Sequence, residues 1–222
     1  MYNQVVKVFG TDYDGVIINI EPQKAQAFGG LLNKRWGIDK DEAKNFWMAT
    51  GGTSRKYKFD YFYQKRFRKK LPDEKYRAIE TDYSRLLKEE FYPHLKLLPE
   101  ALDLLKFVCS NFDHTFVSSG IPMGEIQYLI SLNGLDTYFD LILGTNKQFP
   151  SKREHFKEIQ SRWNPDLLVF VADSPEDMKI AKDASAIPLG VLTNYTEKEL
   201  THAGAIKVCR IEDAISTIKK LI

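Results

Sequence analysis

The first twenty residues combine a largely apolar stretch with a polar turn. Residues 5–9 read Val-Val-Lys-Val-Phe, and Gly15 follows shortly after them. Such a pattern predicts a buried strand that ends in a tight turn. Asp12 and Asp14 lie at the carboxyl end of this strand, and side chains two residues apart on a strand point to the same side. Two neighbouring carboxylates repel each other, so the pair indicates a bound cation or a catalytic role. Solvated turn aspartates are the alternative.

After Ile18 the apolar spacing changes to that of helices for about eighty residues, far more than the roughly dozen that a strand-to-strand crossover requires. We predict four helices, which indicate a small inserted bundle over residues 19–96. The candidate N-caps are Asp39 or Asp41 for the second helix and Thr53 or Ser54 for the third. The predicted helices cover residues 22–36, 39–49, 53–70 and 73–91.

From Pro99 onwards helices and strands alternate. The predicted strands are 114–118, 141–143, 167–171 and 188–193. The predicted helices begin at 99 and cover 121–133, 151–163, 175–184 and 211–222. This alternation predicts an α/β fold with a doubly wound parallel sheet, built from residues 1–18 and 97–222. Ligands of such sheets bind at the carboxyl ends of the strands.

Composition and charge exclude several classes of protein. The 222 residues are 43% hydrophobic and 28% charged, with a net charge of +2, as is ordinary for a globular protein. We find no apolar run long enough to span a bilayer and no signal-peptide pattern, so we expect a cytoplasmic protein. Cys109 and Cys209 are too few for a disulfide framework or a zinc site. Both lie in apolar runs, and we expect core thiols.

The second strand of the predicted core ends in a serine pair, Ser118-Ser119, before Gly120. Hydroxyls and backbone N–H groups before a helix N-terminus can bind an anion. Taken alone, a helix N-cap is the better interpretation of these serines. Lys152 opens a later helix and is by itself best interpreted as a surface cation. Near a phosphate it would act as a point charge.

The strand at 167–171 is followed by Asp173 and Asp177. Because they are one helical turn apart, both carboxylates could reach the same point above the sheet. Grouped carboxylate oxygens suit Mg²⁺. The alternative is an acidic first turn that complements the helix dipole, and this is our interpretation of Glu176.

Together these motifs resemble those of the haloacid dehalogenase superfamily. The pattern has Asp-x-Asp-Gly after strand one, a serine after strand two, a lysine before a late helix and Asp-x-x-x-Asp after strand four. The motifs occur in order over nearly the whole chain. The helical insertion and Glu21-Pro22 resemble the cap and the adjoining sequence of the phosphoglycolate phosphatase and β-phosphoglucomutase branch.

The resemblance implies a phosphatase that acts on a small phosphorylated metabolite. Asp12 would be the nucleophile and form an aspartyl-phosphate, and Asp14 would be the general acid and base. Asp14 also favours phosphate-ester transfer, because dehalogenases and phosphonate-cleaving relatives carry another residue there.

The resemblance also implies the ligand-binding residues. Asp12, the backbone carbonyl of Asp14, Asp173 and Asp177 would hold Mg²⁺. Ser118, Ser119, nearby backbone amides and Lys152 would hold the phosphoryl oxygens.

Three alternatives stay open. A phosphosugar mutase of the same family would need an acid/base group shortly after Glu21-Pro22, where mutase relatives carry His and this chain has Gln23-Lys24. A catalytically idle protein could bind a phosphorylated ligand in the same pocket. The basic segment with Lys65, Arg66, Arg68 and Lys69 could bind nucleic acid.

We favour a structural role for the basic segment. Its aromatic residues Phe59, Phe62, Tyr63 and Phe67 have helical spacing and would form the bundle core, and its cations would face solvent. Arg55 is the candidate contact to an acidic group of the substrate. His94 and His155 have no partner that the sequence identifies, and we expect surface or linker positions for both. The sequence does not determine the oligomeric state.

Overall fold

The computed structural model describes residues 5–51 and 53–222, which form two units. One unit, called here the α/β unit, is Met1–Asn19 with Lys96–Ile222, described from residue 5; the other, the helical unit, is Ile20–Leu95. The unit boundaries lie beside those predicted. Within the described residues, no helix is both long and apolar enough to cross a membrane.

The helical unit contains the four predicted helices. They are α1 (Glu21–Trp36), α2 (Lys40–Ala49), α3 (Arg55–Phe67) and α4 (Asp73–Leu86), followed by a π-helical turn (Leu87–Phe91) and a 3₁₀ turn (Tyr92–His94). Asp39 caps α2 by accepting the Glu42 N–H at 2.8 Å, and Ser54 caps α3 by accepting the Tyr57 N–H at 3.2 Å. Each cap satisfies a donor that the helix itself leaves unpaired.

Aromatic rings fill the interior of the helical unit. Phe28 is fully buried, and its ring centroid lies 5.0 Å from those of Trp47 and Phe59. Phe59, Phe62 and Tyr63 are buried as predicted, whereas Phe67 is 39% exposed at the end of α3. The aromatic spacing of α3 therefore marks its buried face.

The α/β unit is a six-stranded parallel sheet with helices between its strands, which confirms the predicted fold class. The strands are β1 (Lys7–Thr11), β2 (His114–Pro122), β3 (Leu141–Thr145), β4 (Leu167–Ala172), β5 (Ile187–Val191) and β6 (Lys207–Cys209). The helices are α5 (Ala101–Asn111), α6 (Met123–Leu132), α7 (Lys152–Trp163), α8 (Pro175–Asp183), α9 (Glu197–His202) and α10 (Ala214–Ile218).

The strand order is β3-β2-β1-β4-β5-β6, so the first strand of the chain is central. Thr11 at the end of β1 pairs with Val117 of β2 and with Val171 of β4. The residues that follow these three positions therefore lie at one edge of the sheet. The order reverses at β1, and this is where doubly wound sheets bind ligands.

Several local predictions were wrong. Strand β6 and helix α9 were not predicted, and β2 continues to Pro122 where we expected a helix from residue 121. Cys109 is exposed and Cys209 half-buried, so neither is a core thiol. The apolar runs around them belong to an amphipathic helix and to a sheet-edge strand, and each leaves one side open.

Candidate active site

Asp12 is the first residue after the central strand, and its carboxylate is held on both oxygens. Oδ1 accepts the N–H of Tyr13 at 2.7 Å, and Oδ2 lies 2.9 Å from the Lys152 ammonium. The Asp12 N–H itself donates to the carbonyl of Val171 at 2.8 Å. Asp12 is only 6% exposed, so its charge depends on these neighbours.

Lys152 joins two of the predicted acidic residues. Its ammonium lies 2.8 Å from the Asp177 carboxylate as well as 2.9 Å from Asp12. Burial alone would lower the pKa of Lys152, but the two carboxylates outweigh burial and raise it above its ordinary value. Lys152 is therefore a cation inside the site and not the isolated surface charge that its sequence context suggests.

Asp177 lies on the first turn of α8, as its spacing from Asp173 requires. The Ser174 hydroxyl caps this helix by accepting the Asp177 N–H at 3.2 Å, and it donates to Asp177 Oδ2 at 2.8 Å. Asp177 is 4% exposed. The cap thus fixes the helix start and the carboxylate together.

Asp173 packs against the turn that follows β1. Gly15 has φ +75°, and a Cβ at this position would collide with the Asp173 carboxyl group. This close approach explains why the turn contains glycine. Asn194 donates to Asp173 Oδ2 at 2.6 Å, and Thr193 donates to the carbonyl of Gly15 at 2.5 Å.

The acidic residues influence one another electrostatically. Burial raises the pKa of Asp12 well above its ordinary value, Lys152 opposes this, and Asp177, Asp14 and Asp173 raise it further. Burial also raises the pKa of Asp173 to about 7. Asp14 is only half-buried. Four carboxyl groups thus share one site with a single described lysine near Asp12.

The oxygen atoms of these four aspartates are of the type that a divalent cation binds, because Mg²⁺ prefers carboxylate and carbonyl oxygens. Asp173 also lies directly against the Asp14–Gly15 turn, whose Asp14 carbonyl is the predicted ligand. Within residues 5–51 and 53–222, no three acidic, histidine or cysteine side chains converge closely enough to hold a metal as they stand. The binding of Mg²⁺ by Asp12, Asp14, Asp173 and Asp177 therefore stays a prediction.

The two predicted phosphate-binding serines lie at the end of β2. Ser118 is fully buried, and its hydroxyl lies 2.8 Å from Nδ1 of His155. Ser119 accepts the N–H of Ile121 at 3.2 Å. Because β2 continues through this stretch, these serines do not cap a helix, and α6 begins only at Met123. Their role toward phosphate stays a prediction.

The expected surface or linker position of His155 was wrong, whereas His94 is exposed. His155 is fully buried on α7, one turn after Lys152. It shares the buried face of that helix with Phe156 and Ile159, and this apolar spacing was the available signal.

Thr193 and Asn194 were also missed. They are the second and third residues after β5, so they lie near the same end of the sheet as Asp12 and Asp173. Applying the strand-end rule to β5 would have identified them.

Arg55 lies in the helical unit, in a polar cluster. Its guanidinium donates to the Ser84 hydroxyl at 3.0 Å and lies 5.0 Å from the centre of the Tyr83 ring. Near it, burial lowers the pKa of Lys58 to about 8; Glu21 opposes this, and the positive charges of Lys24 and Arg55 lower it further. The charges of Glu21, Lys24 and Arg55 therefore all act on Lys58.

Comparison with known proteins gave a family and several similar folds. The family model described as haloacid dehalogenase-like hydrolase matches residues 6–185, which is more than half of the chain. No curated protein gave a significant match.

Three solved structures illustrate the similarity in fold. A predicted phosphoglycolate phosphatase from Haemophilus somnus 129pt is 18% identical with a TM-score of 0.81, covering 97% of this chain and 99% of its own. A predicted phosphatase from Clostridium acetobutylicum is 18% identical with a TM-score of 0.81, covering 98% and 100%. A haloacid dehalogenase-like family hydrolase from Streptococcus pneumoniae is 15% identical with a TM-score of 0.76, covering 96% and 98%.

Proposed function

The chain belongs to the family of haloacid dehalogenase-like hydrolases, and from this premise we propose that it is a Mg²⁺-dependent phosphatase. Its substrate would be a small phosphorylated metabolite, hydrolysed through an aspartyl-phosphate. The observation that carries the proposal is the contact of Asp12 with Lys152, which also binds Asp177, at the carboxyl end of the central strand. The proposal includes a cytoplasmic location.

In the first step the Asp12 carboxylate attacks phosphorus, and the bond from phosphorus to the ester oxygen breaks. Asp14 donates a proton to the departing oxygen, so the alcohol leaves neutral. Lys152, which is already in contact with Asp12, keeps a positive charge beside the attacking group. Ser119 and the neighbouring amides would donate to the phosphoryl oxygens, and Ser118, whose hydroxyl contacts His155, would hold these amides in place.

In the second step Asp14, now a carboxylate, takes a proton from water, and the water oxygen attacks phosphorus. The bond between phosphorus and Asp12 breaks, which releases inorganic phosphate and restores the Asp12 carboxylate. Tyr13 N–H and Lys152 hold the two oxygens of Asp12 in one orientation. The same residue can therefore receive and release the phosphoryl group without moving.

Mg²⁺, held by Asp12, the Asp14 carbonyl, Asp173 and Asp177, would neutralise the repulsion between the attacking carboxylate and the phosphate dianion. The chain's own part is to keep these groups in place. Asn194 fixes Asp173, and Ser174 fixes Asp177.

The helical unit supports a substrate with a second acidic group. Lys24, Lys58 and Arg55 lie close enough to influence one another electrostatically, and Lys24 and Lys58 are almost fully buried. A carboxylate or phosphate group of a substrate can form charge-assisted hydrogen bonds with cationic side chains of this kind. We therefore propose Arg55 as the contact to a carboxylate or phosphate of the substrate.

The test of the reaction is phosphate release from p-nitrophenyl phosphate. Asp12→Asn removes the nucleophile and should reduce turnover to background, and a chelator should abolish wild-type turnover until Mg²⁺ is restored. Asp103→Asn is the matched control, because Asp103 is an exposed residue of α5. Turnover that survives in Asp12→Asn would refute the assignment. Isomerisation of a sugar phosphate without phosphate release would instead support a mutase.

The test of Arg55 compares two substrates. Arg55→Ala should raise KM at least about tenfold for the natural substrate, because a charge-assisted hydrogen bond is lost. KM for p-nitrophenyl phosphate, which has no second acidic group, should not change. The natural substrate would first be found by screening phosphorylated metabolites. Equal effects on both compounds would show that Arg55 does not contact the distal group.

A further inference from the structure

His155 is a fully buried histidine whose two ring nitrogens are both engaged. Nδ1 lies 2.8 Å from the hydroxyl oxygen of Ser118, and Nε2 lies 3.1 Å from the carbonyl oxygen of Gly144. A carbonyl only accepts hydrogen bonds, so this network assigns the ring hydrogen to Nε2. Nδ1 is then the acceptor, and the Ser118 hydroxyl donates to it.

The neutral ring agrees with its surroundings. Burial lowers the pKa of His155 to about 4, and the positive charge of Lys152 also lowers it, although the Gly144 carbonyl opposes this. The single hydrogen of the Ser118 hydroxyl is therefore held by His155. The direction of the Ser118 oxygen is set by this bond.

These two contacts lie where the sheet becomes irregular. Ser118 pairs with Leu143, but the register between β2 and β3 shifts between Ser118 and Pro122. Irregular strand ends leave polar groups outside the regular ladder, and they often lie beside active sites. His155 bonds the last regularly paired residue of β2 and the residue after its partner on β3. It thus joins the two strands at the break.

Helix α7, which carries His155, also contacts Asp12 through Lys152. Lys152 and His155 are one turn apart on α7, so their side chains lie on one face. Lys152 contacts Asp12 after β1, and His155 contacts Ser118 on β2. Because Thr11 and Val117 are paired, Asp12 and Ser118 lie at equal height on the sheet. One helix face therefore sets both positions.

We propose that His155 is a positioning residue of the phosphoryl-binding site and acts through Ser118. By accepting the Ser118 hydroxyl hydrogen, it fixes the end of β2, with the amides that follow it, relative to Asp12 and Lys152. The inference rests on the proposed phosphatase function.

The test uses three replacements of the same histidine. His155→Leu removes both bonds, His155→Asn keeps an acceptor near Nδ1, and His155→Gln keeps a donor near Nε2. His155→Leu should raise both the inhibition constant of inorganic phosphate and KM for p-nitrophenyl phosphate roughly tenfold. His155→Asn should recover most of this loss and His155→Gln much less. If Asn is no better than Leu or Gln, the inference is wrong.

A double-mutant comparison tests whether His155 acts through Ser118. Ser118→Ala combined with His155→Leu should bind inorganic phosphate no more weakly than Ser118→Ala alone, because the second change removes a bond that is already gone. Independent, multiplying effects would overturn the inference. His202→Leu is the matched control, since His202 is exposed on α9, and it should leave phosphate inhibition unchanged.

A measurement that needs no turnover separates the positioning role of His155 from the proposed phosphatase function. Nitrogen NMR of the histidine rings should show His155 as the neutral Nε2–H tautomer from pH 5 to 8, and Ser118→Ala should shift its Nδ1 resonance. An Nδ1–H tautomer, or no shift, would refute the bond even in an active enzyme. This readout also holds if His155→Leu does not fold. If Ser118→Ala causes the shift but the wild type neither binds inorganic phosphate nor releases it from p-nitrophenyl phosphate, the phosphatase function fails, and the positioning role fails with it.

Discussion

Replacing Asp173 by asparagine should stabilise the metal-free protein while abolishing its activity. Asp173 is 4% exposed, and burial raises its pKa to about 7. Asparagine has nearly the same shape and still offers an oxygen to Asn194, which donates to Asp173 Oδ2 at 2.6 Å. The substitution therefore removes mainly a buried charge.

The sign and size of the expected change in the free energy of unfolding follow from the pKa of Asp173 in the folded protein and the ordinary pKa of aspartate. The folded protein binds this proton more tightly than the unfolded chain, so stability falls as the pH rises from the ordinary value of 3.8 to about 7. At about 1.4 kcal/mol for each pKa unit, the full cost of the charge is about 4 kcal/mol. We expect Asp173→Asn to raise the free energy of unfolding by about 2 to 4 kcal/mol at pH 8 and to have little effect at pH 4.

Urea denaturation in a chelating buffer at pH 4 and pH 8 measures both values. Added Mg²⁺ should stabilise the wild type at pH 8 and the variant much less, because a ligand stabilises the state that binds it. Asp103→Asn, at an exposed site, should change the free energy of unfolding by less than about 0.5 kcal/mol. The same gain at both pH values would refute the reasoning, because a buried charge must titrate.

Two further predictions concern the turn and the lysine. Gly15→Ala combines a positive φ with a collision against Asp173, so we expect a loss of more than about 1 kcal/mol and a weakened response to Mg²⁺ in thermal unfolding; wild-type behaviour would contradict the packing. Lys152→Met leaves two buried carboxylates without their cation, which should cost about 3 kcal/mol at pH 7 in chelator. Since this loss also raises the pKa of Asp12, the deficit should shrink toward pH 4, and a pH-independent deficit would refute the role of charge.

The strand ends that bear acidic residues were predictable because they combine two signals. Asp12 and Asp173 each follow an apolar run, and the parallel sheet brings the ends of such runs together. The fold class followed from the same alternation of strands and helices. Helix α7 begins beside its predicted start, but the contact of Lys152 with Asp12 also depends on how α7 packs on the sheet.

The remaining details depend on tertiary packing. A buried histidine and an exposed one look alike in sequence, and only the face of α7 distinguishes His155. β6 has three residues, too few for a periodic pattern, and β2 runs past its apolar segment because β3 supplies partners for it. The Asn194 contact joins residues 21 positions apart, which no local pattern encodes.

The central place of β1 has a consequence for biosynthesis. The backbone of Lys7 bonds to a residue 106 positions later, and that of Val6 to one 160 positions later. β1 therefore waits for about half of the chain before β2 exists and for about three quarters before β4 exists, whereas the ring contacts of Phe28 with Trp47 and Phe59 lie within residues 20–95. We expect the bundle to form during translation and the sheet to close late, when β4 emerges.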